Sequence, residues 1–257
     1  MTGADVEKPS AGANSGAAWF PYFALGCAGA IGALAFGLRM SFGIFLSAIA
    51  DEVSDGSREM FSMATAIQSL IWGFSTPVIG SFTDRSGPLV GIWLGALMFA
   101  AGLFLTGMSN SAPAFFSSTG VAVGVACGAT SFGVLFGAVG KLFPDSARRT
   151  RALGITTSLA SLGQFSIPPI AQELNDAQGW RTSFKNLSIF ALAIIPLAVP
   201  LARAERSERV RQNSAETKSL RQTLHDASRN RSYQLLVVGF FVPAPFRISA
   251  PRRIAES

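Results

Sequence analysis

A chain of 257 residues, 49% apolar and 14% charged, with a formal net charge of +6, is too sparsely charged for an ordinary soluble domain, in which about a quarter of the residues are charged. Two distant cysteines and a lone His225 give no disulfide framework, metal site or nucleophile, so catalysis is excluded and no cofactor is expected. The positive excess lies beside apolar runs, where it sets topology and meets anionic lipid headgroups, and nucleic acid is rejected as a partner.

The charges fall at 1–8, 51–59, 84–85, 141–151, 173–185 and from 203 onward, with Arg39 as the exception. The neutral stretches between them predict membrane helices at about 19–50, 60–82, 89–108, 112–140, 152–172 and 184–202. The expected fold class is an all-α membrane protein: a cytoplasmic tail over 1–18, a six-helix transmembrane bundle over 19–202, a basic linker over 203–232 and a final segment over 233–257. The tail carries Asp5, Glu7 and Lys8 before an apolar run too long for a signal core, so it is expected to be disordered and not cleaved.

In the first span Arg39 stands alone, and an unpartnered guanidinium in a bilayer costs at least about 2.5 kcal/mol. Helical spacing places Phe36, Arg39 and Gly43 on one face. Two readings stay open: Arg39 holds a carboxylate through its planar fork, or the span ends near Leu38 and the side chain snorkels to the headgroups. In the second and fifth spans, Gln68 and Gln164 are candidates to hydrogen-bond a substrate, although plain helix-to-helix glue is the commoner role of such residues. Cys27 and Cys127 read as small buried hydrophobes.

Between the second and third spans lies Gly80-Ser81-Phe82-Thr83-Asp84-Arg85-Ser86-Gly87-Pro88. Gly80 is expected to end one helix and Pro88 to begin the next, with Asp84 near a positive helix end. In the fourth span Gly120, Gly124, Gly128, Gly133 and Gly137 form a small-residue stripe, read chiefly as packing. Arg85, Lys141, Arg148, Arg149 and Arg151 fall on one side and Arg58, Arg181 and Lys185 on the other, which puts the N terminus in the cytoplasm.

The spacing Gly-x-x-x-Asp-Arg-x-Gly resembles the signature loop of the major facilitator superfamily of secondary transporters, although Pro88, Leu89 and Val90 supply no basic residue after the second glycine. Arg148-Arg149-Thr150-Arg151-Ala152-Leu153-Gly154, with Gly163 further on, resembles the start of the fifth helix in monocarboxylate transporters and the related oxalate/formate exchangers. Pro168-Pro169 and Gly179-Trp180-Arg181 also resemble that branch, whereas Thr156, Ser158 and Leu159 stand where it usually has alanine and glycine. The fourth span lacks the arginine of drug/proton antiporters, and the fifth lacks their Gly-x-x-x-Gly-Pro element. The resemblance covers roughly residues 19–242.

The resemblance implies the N-terminal half of a secondary transporter for a small, monocarboxylate-like organic anion, working by alternating access in a plasma or inner membrane. It implies Arg39 as the substrate cation and Gly80, Asp84, Arg85 and Gly87 as a gating loop; Phe36, Gln68 and Gln164 are the further candidates that the residues themselves offer beside it. The expected partner is a second half or a second copy. A non-transporting fragment or regulatory subunit is the rival reading. Tyr233 to Val242 begins as a seventh span would, but Pro243, Pro245 and Arg247 stop it at about half the crossing length, and a truncated or frame-shifted chain, inactive alone, is expected.

Overall fold

Five consecutive chain segments build the bundle, and in each the apolar run dictates helix because a lipid environment leaves backbone amides no other partner. The computed structural model describes residues 19–53, 59–143 and 145–211, with all side chains among them except those of Asp51, Val53, Asp84 and residues 205–211. The tail 1–18, the linker beyond 211 and the expected seventh segment lie outside the described residues. Every regular element among the described residues is helical.

Helix α1 (Phe20–Ser41) runs through a 3-10 turn (Phe42–Phe45) into α2 (Leu46–Val53). Then come α3 (Glu59–Ser86) and α4 (Pro88–Met108). The next apolar run is α5 (Ala112–Phe115), a π-helical segment (Phe116–Ala122) and α6 (Val123–Ala129). It breaks at Thr130-Ser131 before α7 (Phe132–Leu142). Helix α8 (Ser146–Leu192) carries Pro168 and Pro169 and breaks at Gly179, and α9 (Ile194–Arg211) follows.

Four stretches are long and apolar enough to cross a membrane: Phe20–Ala50, Pro88–Met108, Ala112–Leu142 and Ser146–Ala204. The last contains the Gly179 break, so it holds two of the expected helices. Helix α3 has 28 residues, ample length, but its serines, threonines and Gln68 keep it below the other four in apolar character. Large side chains that face outward include Leu70, Phe74, Phe165 and Ile189, a surface suited to lipid rather than water.

Three boundaries differ from the sequence expectation. Helix α3 does not stop at Gly80 but continues to Ser86, and the turn is the single residue Gly87, at φ 89° and ψ 155°, followed by Pro88 in the first turn of α4. A non-glycine residue resists that backbone. The fifth helical segment begins at Ser146 rather than near 152, because the Asp145 carboxylate accepts the Arg148 amide at 3.0 Å and caps it. The polar stretch expected as a loop between the predicted spans, 173–183, is helical on both sides of Gly179, whose φ of 75° and ψ of 163° make the corner. Polar residues tolerate the helix there, and Gln172 supports it by donating to the Asp176 carboxylate one turn on at 2.7 Å.

Two apolar clusters fill the bundle. One centres on Phe45, Phe99, Phe115 and Phe184, and the other on Ile31, Ile92, Leu135 and Ile194. Of the glycine stripe, Gly120, Gly124 and Gly128 pack closely on α3 at Ile67, Ile71 and Ser75, Gly133 meets Thr76 of the same helix more loosely, and Gly137 faces open space. The tightest approach joins α1 to α8, where Gly163 lies against the backbone of Ala33 and Gly37 against Gly163 and Ile167.

A methyl group at Gly163 would meet backbone, which has no rotamer to yield. Gly163→Ala should therefore lower stability by about 1–3 kcal/mol, measured as thermal unfolding in detergent. Gly154→Ala, a position with open space around it, should be close to neutral.

Candidate functional site

Arg39 lies in the last turn of α1 and turns toward α3. Its Nη2 donates to Ser69 Oγ at 3.1 Å, and its guanidinium carbon lies 4.6 Å from the centre of the Trp72 ring. Both partners come from α3, one helical turn apart, so a single helix face receives the cation. The Nε is buried without a hydrogen-bond partner. No carboxylate pairs with Arg39 among the described residues.

Around it is a narrow, open cleft lined by Ala35, Phe36, Arg39, Trp72, Cys127 and Thr130. Phe36 stacks on Phe132 at 4.3 Å and meets Trp72 edge-on at 6.2 Å. An aromatic chain thus runs from α7 through α1 to α3 and ends under the cation. A guanidinium over an indole face is attracted by the ring quadrupole, more strongly where water is excluded. Chemically, the arrangement offers one positive fork and an apolar wall.

Of the residues expected to bind substrate, Arg39 and Phe36 share this cleft and the two glutamines do not line it. Gln68 is 2% exposed and donates to the Thr119 carbonyl at 3.2 Å. Gln164 is half-buried on α8. Gly43, beyond the end of α1 in the 3-10 turn, faces open space. Sequence reasoning missed Ser69, Trp72, Cys127 and Thr130 as neighbours of Arg39. The available signal was the pair Ser69 and Trp72, a hydroxyl and an indole at helical spacing in an apolar run.

The signature turn borders a second, narrow cleft lined by Gly80, Thr83, Pro88, Gly133, Gly137 and Lys141 among others. Asp84 and Arg85 sit in the last turn of α3, with Arg85 exposed. Arg148 and Arg149 are exposed, Ala152 is buried in the second apolar cluster, and Gly154 is exposed.

At another place in the bundle a polar clamp joins α2, the end of α4 and α8. Arg181 Nε donates to Glu52 Oε1 at 2.8 Å, and its Nη1 donates to the Ser109 carbonyl at 2.7 Å and to Asn110 Oδ1 at 2.9 Å. Trp180 Nε1 donates to the other oxygen of Glu52, and Arg181 lies 4.5 Å above the Trp180 ring. The hydrogen bonds from Arg181 and Trp180 hold the Glu52 carboxyl below its ordinary range.

Because the folded value is depressed, the clamp's contribution is whole above the ordinary glutamate value of 4.5 and is lost as the pH falls through the lowered one. The pair is half exposed, so it contributes about 1 kcal/mol or less. Glu52→Gln should lower the unfolding temperature at neutral pH, and the difference from the parent should shrink on acidification to about pH 3. Thermal unfolding at both pH values measures it.

Comparison with known proteins bears on this arrangement. The profile of the Major Facilitator Superfamily matches residues 23–249. Monocarboxylate transporter 13 of Bos taurus is 26% identical over 67% of this chain and 40% of its own length. An oxalate:formate antiporter of Oxalobacter formigenes is 24% identical over 70% of this chain and 42% of its own length. Human monocarboxylate transporter 12 is 33% identical over a shorter stretch, 40% of this chain and 19% of its own. The chain thus spans about two fifths of the length of the first two of these relatives. With the superfamily profile matched from residue 23 to residue 249, the chain belongs to the Major Facilitator Superfamily.

Proposed function

We propose that this chain is the six-span half of a secondary transporter for a small organic monoanion, with the N terminus in the cytoplasm. The observation that carries the reading is Arg39: a guanidinium in an apolar helix, without an acid partner among the described residues, held over an aromatic-lined cleft. An isolated intramembrane cation is a functional group by default, and its planar fork matches a carboxylate. Relatives named for monocarboxylates and for oxalate and formate agree with an anion. One cation in the cleft favours a monocarboxylate over a dianion.

Transport by alternating access needs a second bundle to rock against around a site near the midplane. That bundle is a further segment or a second copy, in keeping with the two-fifths coverage of the relatives. Asp84 and Arg85 act at the gate on the cytoplasmic side, and Gln68 and Gln164 border the cavity of the assembled transporter. Without the second bundle the chain in proteoliposomes should take up no substrate.

Arg39→Gln should reduce monocarboxylate binding by tenfold or more while leaving expression intact, and Arg39→Lys should keep part of it; the order of magnitude is that of a charge-assisted hydrogen bond. Equal affinity in the glutamine variant would return Arg39 to the headgroup region. Reporters fused after Arg151 and after Gly56 should read as cytoplasmic and external respectively, and the reverse would overturn the six-span topology. Asp84→Asn should slow transport in the assembled protein without removing it from the membrane.

A further inference from the structure

We propose that Ser69 and Trp72 are positioning residues that fix the Arg39 fork for the substrate carboxylate, an inference that rests on the anion reading above. The argument starts from protons. Ser69 Oγ donates its only hydrogen to the Thr65 carbonyl at 2.9 Å, so toward any other group it acts only as an acceptor. Arg39 Nη2 fills that role at 3.1 Å. In this arrangement Ser69 has no proton to offer a carboxylate, and its remaining lone pairs would repel one. Its function is to hold the arginine.

Trp72 restrains the same group in a second direction. With the guanidinium carbon 4.6 Å from its ring centre, the indole supports the cation, and the Phe36 ring set edge-on against Trp72 and stacked on Phe132 keeps the indole in place. The Nε hydrogen is buried, so a ligand reaches the Nη end. A long arginine side chain loses considerable rotamer entropy when it grips a ligand. Fixing it beforehand moves that cost out of the binding step. Ser69 and Trp72 therefore set affinity without touching the anion.

Two measurements on the full chain in lipid nanodiscs test this. The first needs no ligand: the emission of Trp72, obtained by subtracting the Trp72→Phe spectrum, should shift in Ser69→Ala and return in Ser69→Thr. An unshifted spectrum in Ser69→Ala would mean that Ser69 does not hold the cation over the ring, and the proposal would fall. The second is equilibrium binding of radiolabelled L-lactate as the monocarboxylate probe. Ser69→Ala should raise its Kd roughly three- to tenfold, as for one lost hydrogen bond, with Ser69→Thr near the parent and the unfolding temperature unchanged. An unaltered Kd in Ser69→Ala, or an equal loss in Ser69→Thr, overturns the positioning role. Lactate binding that survives Arg39→Gln, or is absent in the parent while the Trp72 shift is present, overturns the anion reading and leaves the Ser69–Arg39–Trp72 contact standing as structure.

Discussion

Everything near Arg39 depends on how closely α1 and α8 approach. Gly163 against Ala33, and Gly37 against Gly163, bring the two backbones into contact without intervening side chains, the means by which helices associate where lipid removes the hydrophobic drive. That contact fixes the rotation of α1 about its own axis. With Gly29 and Gly37 turned to α8, the helical repeat puts Arg39 about 80° round the helix from Gly29 and about 160° from Gly37, on the flank of the contact, while Phe36, seven residues on from Gly29, stays close to that glycine's face. From that flank the cation meets Ser69 and Trp72 of α3.

The polar groups inside the bundle divide by what they satisfy. Gln68 gives its amide hydrogen to Thr119, whose carbonyl lies in the π-helical segment, where the i→i+4 ladder is interrupted. Thr106 links to Ser118 and Thr119 at 3.1 and 3.0 Å, joining α4 to the same segment. These are closed accounts of donors and acceptors, and a closed network rigidifies what it joins. Arg39 differs, since its charge has no counterpart among the described residues. Gln68 is thus satisfied within the bundle, whereas the guanidinium of Arg39 has only Ser69 and the Trp72 ring as partners.

Much of the fold was legible because membrane helices announce themselves by composition. The apolar windows, the Pro88 start of α4 and the isolation of Arg39 were all local properties of the chain. Boundaries were less so. Gly80 looked like a terminator, yet nothing in its helical surroundings calls for a left-handed backbone, and seven residues later Gly87 takes that conformation instead. Asp145 moved the start of α8 upstream through a cap that the sequence also contained. The stretch 173–183 looked like a loop because charge was read as an exit from the bilayer, whereas a helix can project beyond the apolar zone with its hydrogen bonds intact. Ser69 and Trp72 were out of reach for another reason. Their meeting with Arg39 joins residues 30 or more positions apart, and no period within one helix encodes it.

Pro168 and Pro169 bring a consequence for the mechanics of α8. Neither has an amide hydrogen, so the carbonyls of Gln164 and Phe165, four residues earlier, have no ladder partner. Two missing rungs in succession make a compliant section in a helix otherwise stiffened by its backbone. It lies just beyond Gly163, where α8 is clasped to α1, and before the corner at Gly179. The stretch between clasp and corner can therefore change curvature without breaking a backbone hydrogen bond at those two rungs, while the clasp keeps its register. Bending of α8 between the α1 contact and the Gly179 corner is thus easiest at this pair of prolines.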